Sequence, residues 1–167
     1  MSASIDYSAS ARTTLRRGLR VRLDLRVCRR LVDPSCPYNG VTPSTALEAV
    51  RAAGSGIGDV LVMDVGYNDD ATHYREGMRL IERAARAQGA TAIVWVTLHE
   101  ARSTYRWTNI AIRTQAKISP DITVADWNAY SAGRNWFSGD GLHLNTAGAD
   151  ALARFLRSYV LRAAAGS

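Results

Sequence analysis

Residues 140–143 of this chain carry groups that could perform acyl transfer. They read Asp-Gly-Leu-His, so a carboxylate and an imidazole lie three positions apart in one loop. At this offset Asp140 can hold the ring nitrogen of His143 that is nearest the backbone. That contact fixes the tautomer and leaves the other nitrogen free as a base. A base of this kind activates a serine hydroxyl, which is otherwise a weak nucleophile. The pair therefore predicts a hydrolytic or acyl-transfer site, with a surface histidine before a helix as the alternative.

A second segment, residues 66–69, reads Gly-Tyr-Asn-Asp. The side-chain amide of Asn68 can donate a hydrogen bond to an oxygen that becomes negatively charged, and the backbone N–H groups of Ser8 and Gly40 can supply two more donors. Asn and Asp are also common turn and cap residues, which is the alternative for Asn68. The presence of both segments in one chain favours the catalytic interpretation.

A strand–helix framework must position these residues. Short apolar runs at residues 59–65 and 92–96 are typical of central parallel strands, and residues 121–125 are a further candidate strand. Residues 21–27 alternate apolar and polar side chains as an edge strand does, and residues 2–6 are a further candidate strand. Helices are predicted over residues 11–20, 44–53, 71–88, 105–118 and 146–162.

This alternation predicts a parallel sheet with helices on both faces. We therefore expect one α/β domain over residues 1–167, a three-layer α/β/α sandwich with a five-stranded parallel, flavodoxin-like sheet. Ligands bind at the carboxyl ends of the strands in such sheets. Ser8, Gly40, Asn68 and residues 140–143 each follow a predicted strand, so they should meet at one edge.

The two segments resemble conserved blocks of the SGNH (GDSL-like) hydrolases. Residues 66–69 are similar to the Gly-x-Asn-Asp block of that family and residues 140–143 to its Asp-x-x-His block; the Ala-Gly pair at residues 147–148 is also typical. The resemblance implies an esterase that cleaves ester-linked acyl groups through an acyl-serine intermediate, without a metal or organic cofactor. It implies a catalytic triad of Ser8, Asp140 and His143, and an oxyanion hole formed by Ser8, Gly40 and Asn68.

The first block of the family is usually Gly-Asp-Ser, whereas residues 6–8 of this chain read Asp-Tyr-Ser. Ser10 and Ser4 are therefore rival nucleophiles to Ser8. Ser8 is preferred because it lies where the first predicted strand ends and the chain turns into a helix. The altered block also leaves open a non-catalytic binding domain on the same fold, and an acyltransferase that uses the same triad.

The short chain leaves little room for long insertions, which favours an open, shallow site and a small acyl group. The expected partner is a small-molecule or carbohydrate ester. Weaker candidates for substrate contact are Tyr67, His99, Trp136 and Phe137. The alternative interpretation of Trp136 and Phe137 is that they pack as a lid over the domain.

Charge and hydropathy exclude few classes of function. The net charge is +6, and all but one of the 21 basic residues are arginines. Eight arginines lie between residues 12 and 30, which indicates either a surface for an anionic partner or a solvated face. No recognised nucleic-acid-binding motif accompanies them, so no nucleic-acid partner is expected. No apolar run approaches the roughly 20 residues of a membrane span, and we expect a monomer.

The two cysteines, Cys28 and Cys36, are eight positions apart without a further Cys or His nearby. This spacing favours a disulfide over a zinc site, with two free buried thiols as the alternative. A disulfide indicates an oxidising compartment. We therefore expect a secreted or cell-surface protein whose leader is not included in this sequence, with the cytoplasm as the alternative.

Overall fold

A computed structural model of the chain describes residues 2–166 and contains a parallel three-stranded sheet. Its strands are β1 (Val60–Met63), β2 (Ala92–Val96) and β3 (Ile122–Ala125), in that spatial order. Trp95 in the central strand lies between Met63 and Val124. The α/β class and these three strands are confirmed.

The prediction of five strands is wrong. Residues 2–6 belong to a 3-10 helix, Ser2–Tyr7, and residues 21–27 form no strand. The alternation in the second segment is nevertheless real, because Leu23 and Leu25 are half-buried against the core while their neighbours are exposed. A strand also needs an adjacent backbone with which to exchange hydrogen bonds, and the described residues offer none to this segment.

Six α-helices accompany the sheet. They are α1 (Ala9–Arg16), α2 (Ala46–Ala53), α3 (Tyr74–Ala87), α4 (Tyr105–Ala116), α5 (Trp127–Ser131) and α6 (Thr146–Ala165). The five expected helices are present with shifted ends, and α5 was not expected. Its N-cap, Asp126, accepts a hydrogen bond from the backbone N–H of Ala129. Over residues 2–166, no helix combines the length and apolar character needed to cross a membrane.

Two hydrophobic clusters meet at β2, because successive residues of a strand point to opposite faces. Ile93 and Trp95 belong to one cluster, which includes side chains from α2, α3 and α4. Val94 and Val96 belong to the other, which includes side chains from α1 and α6. Helix α6 contacts all three strands. The long loop before α6, which carries residues 140–143, is thus attached to a well-buried helix.

Candidate active site

Asp140 and His143 are joined in the loop before α6. Oδ2 of Asp140 lies 2.5 Å from Nδ1 of His143, and Oδ1 accepts hydrogen bonds from the backbone N–H groups of Leu142 and His143 at 2.9 and 3.0 Å. The hydrogen bond with His143, followed by these two N–H groups, lowers the pKa of Asp140. The carboxylate therefore stays ionised and orients the ring.

The other ring nitrogen of His143, Nε2, makes no hydrogen bond to any residue that the structure describes, and 64% of the side chain is exposed. A neutral imidazole held at Nδ1 presents Nε2 as an acceptor. This nitrogen can therefore receive a proton from a hydroxyl group or water at the surface.

The segment around His143 folds back on itself. Phe137 and Leu144 form an isolated antiparallel bridge, and the backbone N–H of Ser138 donates to the carbonyl oxygen of His143 at 2.7 Å. The N–H of Gly141 donates to the carbonyl oxygen of Ser138 at 2.9 Å. These bonds keep Asp140 and His143 on one tight turn.

The same loop packs closely on α6. Asn145 caps this helix, and its backbone N–H donates to the carbonyl oxygen of Trp136 at 3.0 Å. A Cβ atom at Gly148 would lie 2.2 Å from that carbonyl oxygen, so only glycine permits this approach. The ring of Trp136 stacks on the buried Trp127 at 5.7 Å between centroids. Trp136 is half-buried by this packing.

Asn68 lies on a turn directly after β1. The turn is closed by the backbone N–H of Asp69, which donates to the carbonyl oxygen of Gly66 at 3.2 Å. Gly66 has a φ of +141°, and a Cβ there would lie 3.1 Å from each of three side-chain atoms. The Asn68 side chain is exposed and makes no hydrogen bond within residues 2–166. Its amide is therefore free to donate to a ligand.

Tyr67 anchors one side of this turn. Its hydroxyl accepts a hydrogen bond from the backbone N–H of His99 at 2.8 Å, and its ring meets Tyr105 edge-on at 5.0 Å. Burial, and to a smaller extent the negative charge of Asp64, raise the pKa of Tyr67, so the hydroxyl stays protonated. With the ring occupied in this way, Tyr67 acts as a support for the turn.

His99 connects the Asn68 turn to the His143 loop. Its backbone N–H bonds to Tyr67, and its ring stacks on Phe137 with 3.9 Å between centroids. Phe137 in turn bridges to Leu144, the residue after His143. The Asn68 turn follows β1, His99 follows β2, and the His143 loop is linked to His99 through Phe137, so these predicted residues lie on segments connected beyond the carboxyl ends of β1 and β2.

The imidazole of His99 is partly buried. Its Nδ1 lies 3.1 Å from Oγ of Ser131, a fully buried residue. Partial burial lowers the pKa of His99, opposed by the nearby charge of Glu100, so the ring stays neutral near pH 7. Substrate contact by Tyr67, His99, Trp136 and Phe137 stays a prediction.

Ser8 occupies a different environment from the one expected. It is the N-cap of α1, where its Oγ accepts a hydrogen bond from the N–H of Ala11 at 3.1 Å and donates to Oδ1 of Asp150 on α6 at 2.7 Å. Only 5% of the residue is exposed, and within the described chain no hydrogen bond joins it to His143. The role of Asp150 was not anticipated, because no local pattern links positions 8 and 150.

The rival serines differ in exposure. Ser10 is exposed in the first turn of α1, and Ser4 is half-buried in the 3-10 helix. Gly40 is exposed at the tip of a tight turn, where Tyr38 and Val41 exchange backbone hydrogen bonds at 2.9 and 3.0 Å. Its φ of +76° suits that turn. The described residues show no hydrogen bond from Gly40 to Asn68 or His143.

Cys28 and Cys36 form a disulfide with 5.2 Å between their Cα atoms. Beside it, the arginine-rich segment is only partly exposed. Arg29 is largely buried and donates to Asp24 and Ser44. Arg16, Arg17, Arg20 and Arg22 are exposed to solvent.

No protein-family model and no curated protein sequence matches this chain. The resemblance to SGNH hydrolases therefore depends on the residues of the two motifs. Their functional interpretation depends on the geometry of the Asp140–His143 pair and of the Asn68 turn.

Proposed function

We propose that this protein is a serine esterase of the SGNH type, which hydrolyses small ester-linked acyl groups on a carbohydrate or another small substrate. The Asp140–His143 pair carries the proposal. Its Nδ1–carboxylate contact of 2.5 Å leaves Nε2 open beside the edge that bears the free amide of Asn68. The three-layer α/β/α arrangement is part of the proposal, and it is supported by the hydrophobic clusters on either side of β2.

In the proposed reaction, the serine hydroxyl oxygen attacks the carbonyl carbon of the ester while its proton passes to Nε2 of His143. The carbonyl oxygen becomes an oxyanion, and the Asn68 amide donates to it. The backbone N–H groups of Gly40 and Ser8 are the other proposed donors; that of Ser8 donates to the carbonyl oxygen of Ile5 at 3.2 Å and would have to leave it. The C–O bond to the alcohol then breaks, and His143 returns the proton to the leaving oxygen. Water, deprotonated by the same ring, then attacks the acyl carbon; the bond from that carbon to the serine oxygen breaks, His143 returns the proton to the serine oxygen, and the acid is released.

Ser8 is the proposed nucleophile, and in this role its hydroxyl must exchange Asp150 for His143. A fluorophosphonate probe followed by peptide mass mapping tests the assignment. We expect label on Ser8 that disappears in Ser8→Ala and in His143→Ala. Label on Ser10 or Ser4 would instead assign the nucleophile to that serine and leave the enzyme class unchanged.

The Ser8–Asp150 hydrogen bond favours a second candidate, a non-catalytic binding domain on the same fold. Turnover of p-nitrophenyl acetate by the purified protein distinguishes the two classes. The esterase proposal requires turnover that is lost in His143→Ala and kept in His73→Ala, a matched change at an exposed histidine outside the site. If the protein neither turns over the ester nor reacts with the probe, the binding domain is the better assignment.

The acyltransferase alternative uses the same triad and differs in what accepts the acyl group. Turnover in the presence of added sugar alcohols tests it. Hydrolysis gives free acid whatever alcohol is added, whereas an acyltransferase would give acylated sugar at the expense of acid.

A further inference from the structure

Asp69 connects the turn that carries Asn68 to the disulfide-closed loop, defined as residues 28–36. Its Oδ1 accepts a hydrogen bond from the backbone N–H of Leu31 at 2.7 Å, although the two residues are 38 positions apart. The other carboxylate oxygen is buried and has no hydrogen-bond partner among the described residues. The carboxyl group is therefore held by the loop.

The disulfide-closed loop is itself well fixed. The backbone N–H of Cys36 donates to the carbonyl oxygen of Cys28 at 3.2 Å, and Oγ of Ser35 accepts from the N–H of Arg30 at the same distance. The side chain of Leu31 is 1% exposed and lies so close to α3 that a Cβ at Gly77 would approach it to 2.7 Å. The disulfide spans this segment and limits its movement.

Asn68 consequently lies between two anchored neighbours. Tyr67 is held by the backbone of His99, and Asp69 is held by the backbone of Leu31. Within residues 2–166 the Asn68 side chain makes no hydrogen bond that would fix its position. Its amide is therefore positioned through the backbone of the turn and these two neighbours, since such donors act when they are preorganised.

We propose that Asp69 is a positioning residue, which holds the Asn68 amide in place through Leu31 of the disulfide-closed loop, so that opening the Cys28–Cys36 bond lowers ester turnover. This inference rests on the proposed function, because it assumes that Asn68 serves as an oxyanion donor. The link itself is a property of the fold and can be measured without a substrate.

Asp69→Ala removes the acceptor for Leu31, whereas Asp69→Asn keeps a side-chain oxygen in the same position. We expect the alanine variant to lower kcat about tenfold, the effect of losing one hydrogen bond, with KM changed less than about twofold. The asparagine variant should restore most of kcat. Asp70→Asn is the matched control, because Asp70 is exposed and, among the described residues, forms hydrogen bonds with Thr72 alone.

The disulfide is tested by Cys28→Ser/Cys36→Ser in oxidised conditions and by mild reduction of the unmodified chain. Both should lower kcat in the same way as Asp69→Ala. Because the changes interrupt one link, combining the disulfide variant with Asp69→Ala should cost little more than the larger single effect. Fully multiplicative losses would overturn the proposal, and so would an unchanged kcat in Asp69→Ala. If Asp69→Ala fails to fold, the kcat of the disulfide variant decides alone: a lowered kcat supports the proposal, and an unchanged kcat overturns it.

Amide hydrogen exchange separates this proposal from the esterase assignment. Residues 66–69 should exchange faster in Asp69→Ala and after reduction, and at the original rate in Asp69→Asn. If the unmodified protein hydrolyses no ester, the proposed function fails and the exchange data decide the link alone. Unchanged exchange after reduction, in a protein that does hydrolyse esters, would refute the link and leave the esterase assignment intact.

Discussion

At the scale of single residues, Asn68 is exposed on an anchored turn, so its side chain can be changed without disturbing the core. Asn68→Ala should lower kcat by about 10²–10³ with a smaller effect on KM, because one oxyanion donor is lost in the transition state. Steady-state kinetics with an activated ester measure this change. Asn135→Ala alters another exposed asparagine and serves as the control. An Asn68→Ala enzyme with unchanged kcat would show that Asn68 is only a turn residue.

Asp140 and His143 should behave as one unit, since the carboxylate acts through the ring that it orients. Asp140→Asn and His143→Ala should each reduce kcat/KM severely, and the double variant should be little worse than His143→Ala alone. The kinetics of the three variants, with circular dichroism to verify folding, provide the measurement. Losses that multiply in the double variant would mean that the two residues act independently.

At the scale of elements, the contact between α6 and the His143 loop depends on Gly148. Alanine in a helix is usually favoured over glycine by about 1 kcal/mol. Gly148→Ala should nevertheless lower the melting temperature and the ester turnover, because its Cβ would lie 2.2 Å from the carbonyl oxygen of Trp136. Thermal unfolding measures the effect. Gly166→Ala, at the other end of α6, has only ordinary contacts at 3.8 Å and should be neutral.

The helices show which boundaries of secondary-structure elements can be predicted from the sequence. The expected helix over residues 146–162 begins where the structure begins it, at Thr146, because the Asn145 side chain caps the helix locally. Helix α3 starts at Tyr74, after the expected residue 71, and its N-cap His73 makes no side-chain capping bond. Helix α4 also begins where it was expected, at Tyr105, although its N-cap Thr104 makes no side-chain capping bond, so capping alone does not decide which helix starts are predictable.

At the scale of the whole molecule, Asp69 makes stability depend on pH. Burial raises its pKa from 3.8 to about 6, against the Leu31 N–H and the charge of Arg30, which lower it; the nearby Asp33 adds to the rise. Folding therefore favours the protonated carboxyl group. The stability gained in this way is fully present below pH 4 or so and is lost as the pH rises through about 6.

The side chain of Asp69→Asn cannot ionise, so this variant should not lose stability in that way as the pH rises. Its free energy of unfolding relative to the unmodified protein should rise between pH 4 and pH 8, by about 1–3 kcal/mol. Urea denaturation at several pH values measures the difference. Asp70→Asn should show no such gain, because hydrogen bonds from Thr72 lower the pKa of Asp70. If the difference in free energy of unfolding stayed constant across this range, the ionised Asp69 carboxylate would not destabilise the fold.

From the amino-acid sequence alone, the α/β class, the three strands β1, β2 and β3 and the Asp140–His143 pair were predictable. Each of these depends on residues that are close together in the chain: short apolar runs, and a three-residue offset that joins a carboxylate to a ring. Periodicity also predicted which side chains of residues 21–27 face the core.

The other features depend on tertiary packing. Residues 21–27 and the N-terminal segment lie outside the sheet, since a strand exists only where another backbone pairs with it. Packing also joins Ser8 to Asp150, 142 positions away, and Asp69 to Leu31, 38 positions away. These partners are set by how α1, α6 and the disulfide-closed loop pack, and no spacing within the chain encodes such a meeting.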